Sequence, residues 1–255
     1  MNLLKNSKKS IKHKVYIIGA GPGDTELITL KGINVLKKAE CVIYDYLVNK
    51  DILEYVPITT ELINADKARN RYLDNFTKEQ DKLNDLIVQK AKEYRTVVRL
   101  KNGDPTIFGR LNEEIQSLIK NKIDFEIIPG VTTASSAASF LKIGLTKTKV
   151  ATIVSFIAGH ENPLSKNSII DFSKLSQKST LVFYMAVENL NNIAEKLIEE
   201  GWEKDTPFAI VESVGFNYEK KHIGKLKNIK KISNGIKPPA VLLIGDVINY
   251  AIKKK

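Results

Sequence analysis

Cysteine is nearly missing from this chain. Cys41 stands alone among 255 residues, which excludes a disulfide scaffold and fits a reducing, cytoplasmic compartment. Long apolar runs are missing as well: no stretch approaches the roughly 20 residues of a membrane-spanning helix, so no membrane partner is expected. Histidine occurs only at His13, His160 and His222, too scattered to suggest a metal cluster, and no metal is expected. Aromatic residues make up 7% of the chain and do not interleave with the basic ones, so no stacking platform for single-stranded nucleic acid is visible. Fourteen glycines follow no three-residue period, and 43% hydrophobic residues is too many for a disordered chain.

What the chain does have is lysine. The formal charge is +11, and nearly all of the excess is lysine on presumptive helix faces and at the termini, where a solvated surface is the plain reading. The charge favours steering of a small polyanionic substrate over binding of nucleic acid. Arginine is confined to Arg69, Arg71, Arg95, Arg99 and Arg110. A chain that otherwise uses lysine retains arginine where a planar, bidentate fork is needed. For Arg95 and Arg99 the plain reading is chance clustering or pairing with nearby acids, and Arg110 is read as functional. Residues 1–13 read as a basic flexible tail; they lack the apolar stretch of a signal peptide and the arginines of a transit peptide.

Periodicity points to α/β architecture. Short apolar runs at Lys14–Ala20, Cys41–Tyr44, Glu61–Asn64, Thr96–Leu100 and Phe125–Ile128 read as buried strands. Helical patterns lie between them: Leu27, Leu30, Ile33 and Leu36; Lys78–Tyr94; and Glu113–Lys120. This alternation predicts a largely parallel sheet. The second half carries strand patterns at Val150–Phe156, Ser179–Met185, Phe208–Ser213 and Ala240–Ile244, a helix at Asn189–Glu200, and a hairpin strand at Lys220–Ile223. Two α/β domains, 14–131 and 132–255, are expected, with an active-site cleft between them.

Three motifs follow strands. Gly19-Ala20-Gly21-Pro22-Gly23-Asp24 has the wrong spacing for a dinucleotide fingerprint, because Asp24 stands where the third glycine belongs. It still lets backbone approach a ligand closely. Asn102-Gly103-Asp104-Pro105, continued by Ile107-Phe108-Gly109-Arg110, lies at a strand's carboxyl end, where open α/β sheets bind ligands. Asp104 there suits either helix capping or ribose hydroxyls. Pro129-Gly130-Val131-Thr132-Thr133-Ala134-Ser135 offers two hydroxyls and small residues at a helix start.

In this order and at these separations the three motifs resemble the S-adenosylmethionine-dependent uroporphyrinogen-III C-methyltransferases of the tetrapyrrole (class III) methylase family. Further matching segments are Val42–Val48, Ser179–Leu190, Thr206–Glu212 and Pro238–Ile248, so the similarity covers nearly everything from Lys14 to Asn249. The resemblance implies a homodimer of two-domain chains that transfers methyl groups from S-adenosylmethionine to two ring carbons of uroporphyrinogen III. The product would be precorrin-2, for siroheme or cobalamin synthesis. By the same resemblance Pro22, Asn102, Gly103, Asp104, Ile107, Thr132, Thr133, Met185 and Val214 bind the methyl donor, Asp45 accepts a proton and Lys67 donates one. Arg110 is assigned to substrate carboxylates from its chemistry and neighbourhood. A later precorrin C-methyltransferase, or an RNA methylase, is an alternative on the same scaffold.

The chain departs from the family pattern at several places. Asn102 replaces a glycine, Tyr46 and Ala68 replace arginines, and Ala186 and Val214 replace glycines. The changes at Tyr46 and Ala68 bear on the substrate side; those at Ala186 and Val214 are tolerable if only backbone contacts the ligand.

Overall fold

The computed structural model describes residues 13–68, 76–165 and 168–251. The chain divides into two compact units. One comprises residues up to Gly21 together with Thr25–Val131; the other comprises Pro22–Asp24 and everything from Thr132 onward.

In the first unit, β1 (Lys14–Gly19) is followed by α1 (Leu30–Leu36), β2 (Cys41–Tyr44), β3 (Glu61–Asn64), α2 (Ala65–Ala68), α3 (Phe76–Glu93), β4 (Thr96–Lys101), α4 (Leu111–Lys120) and β5 (Asp124–Ile128). The strands form one sheet in the order β3-β2-β4-β1-β5, and every pairing is parallel. Strand alternation splits the apolar residues between two faces. Val15, Ile17, Cys41, Ile43 and Val97 pack with Leu83, Ile87 and Ala91 of α3 and with Leu111 and Leu118 of α4. Ile18, Val42, Val98 and Leu100 pack on the other face with Ile28 and Leu36. Each such buried aliphatic side chain contributes about 1.5–3 kcal/mol. Helix α1 starts at Leu30 rather than near Leu27, because Thr29 is its N-cap and accepts a bond from the Gly32 amide at 3.1 Å.

This order creates a switch point. β1 and β4 are neighbours, yet the helices that follow them, α1 and α4, lie on opposite faces. Loops leaving adjacent parallel strands toward opposite faces open a crevice at the carboxyl edge of the sheet. The glycine-rich loops after β1 and β4 are therefore where a ligand is expected.

The second unit runs α5 (Thr133–Leu141), β6 (Ile153–Ala158), β7 (Ser179–Tyr184), α6 (Leu190–Glu199), β8 (Pro207–Glu212), β9 (Lys220–Lys225), α7 (Ile229–Ile232) and β10 (Ala240–Ile244). Its sheet has the order β6-β7-β10-β8-β9. Only β6–β7 pairs parallel; the other ladders are antiparallel. Leu181, Phe183, Phe208, Ile210, Leu242 and Ile244 face α6, Trp202 and Ile229. Val182, Ala209, Val211, Val241 and Leu243 face Ala134, Ala137 and Leu141 of α5. The strand expected at Val150–Phe156 begins three residues later. Lys147 and Ala151 exchange backbone hydrogen bonds of 2.9 Å around Lys149, at φ +64°, so a tight turn consumes Val150 and Ala151.

Among the described residues no helix is long and apolar enough to cross a membrane. Cys41 is wholly buried in β2, and burial, with Glu61 nearby, pushes its thiol up to about 12. At pH 8 only about one such thiol in 10,000 is ionised. Folded protein at that pH is expected to resist a thiol-specific reagent and to react only as denaturant unfolds it; stoichiometric labelling of native protein would contradict this burial.

Candidate active site

At the carboxyl edge of the first sheet, three loops meet backbone to backbone. Gly21 and Gly103 exchange two hydrogen bonds, Gly21 N–H to Gly103 O at 3.2 Å and Gly103 N–H to Gly21 O at 2.8 Å. Gly103 has φ +66°, a region that side chains strongly disfavour. Gly130 needs to be glycine for a different reason. A Cβ there would run into the Gly103 carbonyl and come within 2.9 Å of the Gly19 backbone. Asp104 locks this arrangement. One carboxylate oxygen accepts from the Thr106 amide at 2.8 Å and hydroxyl at 2.5 Å, and the other from the Gly130 amide at 2.9 Å. Asp104 therefore ties the loop after β4 to the loop after β5, and it caps no helix, since α4 begins seven residues later.

The rest of this loop is strained. Phe108 and Arg110 flank Gly109 with φ of +50° and +51°, each costing of order 1–3 kcal/mol. Such strain persists only where the surroundings enforce it. Arg110 is exposed at the N-cap of α4 and makes no side-chain cap. Ile107 is half-buried, and its amide donates to the Asp104 carbonyl at 3.3 Å. Among the described residues the buried Oδ1 of Asn102 has no hydrogen-bond partner, which leaves it as an acceptor for a donor from a ligand. Closely approachable backbone and an unsatisfied acceptor suit a ligand that donates hydrogen bonds.

Beside this loop, after β2, stands Asp45. Its Oδ1 accepts from Arg99 Nη2 at 2.5 Å, and its side chain is one-quarter exposed. Arg99 lies in mid-β4 with no exposed surface. Its remaining donors go to Glu114 Oε1 at 3.0 Å and to the carbonyls of Ile43 and Leu100. Lys101, two residues on and so on the same face, reaches the same Glu114 oxygen at 2.9 Å. Burial opposes the charge on Arg99, but Asp45 and Glu114 raise its proton affinity above the usual range. Burial, followed by repulsion from Arg99, lowers that of Lys101, with Glu114 opposing. Of the two plain readings of Arg99, the structure shows pairing with acids, and one of those acids is Asp45 itself. Lys67 lies in α2, at the carboxyl end of β3. The register Tyr44–Asn64 and the hydrogen bond from the Tyr46 amide to Asp66 at 2.7 Å hold the backbones of Asp45 and Lys67 at the same end of neighbouring strands. The side chains of Lys67 and Ala68, and all of Arg69 and Arg71, lie outside the described residues.

The second unit gathers the other expected donor-binding residues in two places. Pro22–Asp24 packs on the turn after β8: a Cβ on Gly23 would lie 2.7 Å from the Phe216 ring and 2.8 Å from the Val214 carbonyl. Val214 is buried between Ser213 and Gly215, whose φ values are +50° and +81°. At the other place Thr132, the N-cap of α5, has its hydroxyl 2.6 Å from that of Tyr184. Met185 follows Tyr184 with φ +55° and is about half exposed. Arg99, Lys101, Glu114 and Tyr184 were absent from the expected site. A charged pair two residues apart inside an apolar strand, Arg99 and Lys101, was the one signal available for the first three.

Residues 14–230 match the family model described as tetrapyrrole (corrin/porphyrin) methylases. The chain belongs to this family. It is 39% identical over 239 residues to an S-adenosyl-L-methionine-dependent uroporphyrinogen III methyltransferase of Methanosarcina barkeri, covering 92% of each chain. It is 43% identical over 246 residues to a siroheme synthase of Pseudoalteromonas atlantica, of which it spans 52%. Among solved structures, the tetrapyrrole methylase fold recurs in a cobalt precorrin-4 methyltransferase, at TM-score 0.81 and 27% identity over 92% of this chain and 96% of that one. It recurs also in a uroporphyrin-III C-methyl transferase of Thermus thermophilus complexed with S-adenyl homocysteine, at TM-score 0.77 and 32% identity over 93% and 99%. Among the described residues of this tetrapyrrole methylase, no group of three or more His, Cys, Asp or Glu is arranged to hold a metal ion. A cavity of about 540 Å³ lined by His13, Lys92, Lys122 and Asp124 lies at the amino ends of β1 and β5, away from the glycine loops.

Removing Glu114 leaves two buried cations facing one partly exposed carboxylate. Glu114→Ala is expected to cost about 3–5 kcal/mol in urea denaturation; a loss below about 1 kcal/mol would show that the ion network is dispensable to the fold.

Proposed function

We propose that this tetrapyrrole methylase transfers methyl groups from S-adenosylmethionine to two ring carbons of uroporphyrinogen III, giving precorrin-2 for siroheme or cobalamin synthesis. The observation that carries the reading is Asp45, a carboxylate fixed by a buried guanidinium at the end of β2, on the same sheet edge as the glycine loops. The names of the relatives support the substrate. The sulfonium supplies an electrophilic methyl group: the new C–C bond forms as the S–CH3 bond breaks, and the bond's electron pair stays on sulfur. The protein's share is positioning, worth up to several kcal/mol, and removal of the proton that the macrocycle must lose, from a position other than the methylated carbon, to neutralise the positive charge the new bond creates. Asp45 accepts that proton. Arg99, donating to Asp45 through one nitrogen, holds the carboxylate in one orientation, a condition for effective general-base catalysis.

In this reading Asn102, Gly103, Asp104 and Ile107 of the first unit, and Pro22, Thr132, Thr133, Met185 and Val214 of the second, hold the donor. Lys67 acts as proton donor, and Arg110 reaches substrate carboxylates from the exposed start of α4. A polyanionic tetrapyrrole also suits the excess of lysine, which speeds encounter with such a substrate. A later precorrin substrate is the second reading, favoured by the structural likeness to the cobalt precorrin-4 methyltransferase. The greater sequence identity to the uroporphyrinogen III enzyme favours the first.

Anaerobic incubation with uroporphyrinogen III and S-adenosylmethionine is expected to add two methyl groups by mass spectrometry; transfer only to a precorrin would establish the second reading. Asp45→Asn is expected to lower turnover by about 10²–10⁴-fold while binding S-adenosylhomocysteine as the parent does. An undiminished rate would remove Asp45 from the mechanism.

A further inference from the structure

We propose that Tyr184 is a positioning residue for the methyl donor: its hydroxyl sets the turn that carries Thr132 and Thr133. The inference rests on the reading of these two threonines as donor-binding residues.

Thr132 occupies the N-cap of α5 with extended backbone, φ −72° and ψ 148°, yet its side chain makes no cap hydrogen bond. An N-cap hydroxyl ordinarily accepts from an amide two or three residues on and satisfies one of the helix's unpaired donors. Here that work falls to another element. The Ala134 amide donates to the hydroxyl of Tyr184, at 3.3 Å, from the end of β7. The same hydroxyl lies 2.6 Å from Thr132 Oγ1. One phenolic oxygen thus caps the helix and holds the threonine that would have capped it.

The orientation of Thr132-Thr133 is therefore fixed by the sheet rather than by local helix geometry. The phenolic oxygen accepts from the Ala134 amide and shares one further hydrogen bond with the Thr132 hydroxyl, in which either hydroxyl serves as donor. The ring that carries this hydroxyl is itself held edge-on against Phe156, with centroids 5.9 Å apart at 80°. Tyr184 also precedes Met185, which turns with φ +55°. A single side chain therefore fixes two donor-binding segments, the α5 turn and the end of β7, relative to each other.

A tyrosine needed only for packing would be replaced by phenylalanine without consequence. Tyr184→Phe keeps the ring and removes both hydrogen bonds. It is expected to weaken S-adenosylhomocysteine binding by about 10-fold in calorimetry, to raise KM for the methyl donor and not for the tetrapyrrole, and to speed hydrogen exchange of the amides from Thr133 to Ser136 without ligand. In a double-mutant cycle with Thr132→Ala, the pair is expected to lose no more affinity than the worse single variant. Unchanged exchange and unchanged donor affinity in Tyr184→Phe would overturn the proposal alone. Failure of the unsubstituted protein to bind S-adenosylhomocysteine would overturn the donor reading, and the proposal with it, before any substitution is made.

Discussion

Arg99 is a cation in the middle of a parallel sheet, where removal from water costs several kcal/mol unless every charge and donor is matched. The chain meets that cost with parts drawn from three elements. Asp45 comes from the end of β2, Glu114 from α4, and two carbonyls from the strands β2 and β4. Lys101 adds a second buried cation on the same Glu114 oxygen, leaving the four side chains formally neutral. The network fixes where α4 sits over the sheet. It also fixes the start of the strained loop from Asn102 to Arg110 and the direction in which Asp45 points. One guanidinium nitrogen sets that direction for Asp45, while the others are committed to Glu114 and the backbone.

The second constraint is steric. The loops after β1, β4 and β5 approach so closely that no Cβ fits at Gly19 or Gly130. Backbone amides and carbonyls then make up the junction of these loops, and the Asp104 side chain ties two of them together. The same economy recurs in the second unit, where Pro22–Asp24 packs on Val214–Phe216 and Tyr184 caps α5 from a neighbouring strand. Within each unit these segments are held by backbone contact or by a single polar side chain, which limits what each must order locally on binding.

The departures from the family pattern can be weighed in these terms. Val214 is buried with its carbonyl against Gly23, so its side chain points into packing and the replacement of glycine leaves the backbone contact in place. Ala186 is buried next to Gly159, where a Cβ on that glycine would approach it to 2.6 Å; the added methyl is accommodated by a partner that lacks one. Tyr46 is exposed, and its amide is anchored to Asp66.

Much of this was legible in the residues themselves. β2 and β10 fall where apolar runs bounded by polar residues place them, because burial on both faces of a sheet demands such runs whatever surrounds them; β3 also falls at Glu61–Asn64 as expected, although it is an edge strand with Leu62 exposed. The glycine loops were recognisable because close backbone approach restricts residue type at Gly19, Gly103 and Gly130, whereas Asp45 and the threonines of α5 were singled out by the family resemblance. The sequence left open what depends on partners far away in the chain. Arg99 reads as one more basic residue until β2 and α4 bring Asp45 and Glu114 to it across 54 and 15 positions. Tyr184 reads as strand-end packing until Thr132 arrives from 52 residues earlier. Residue type and spacing determine local geometry through short-range sterics; which charge meets which hydroxyl is decided only when the sheets assemble.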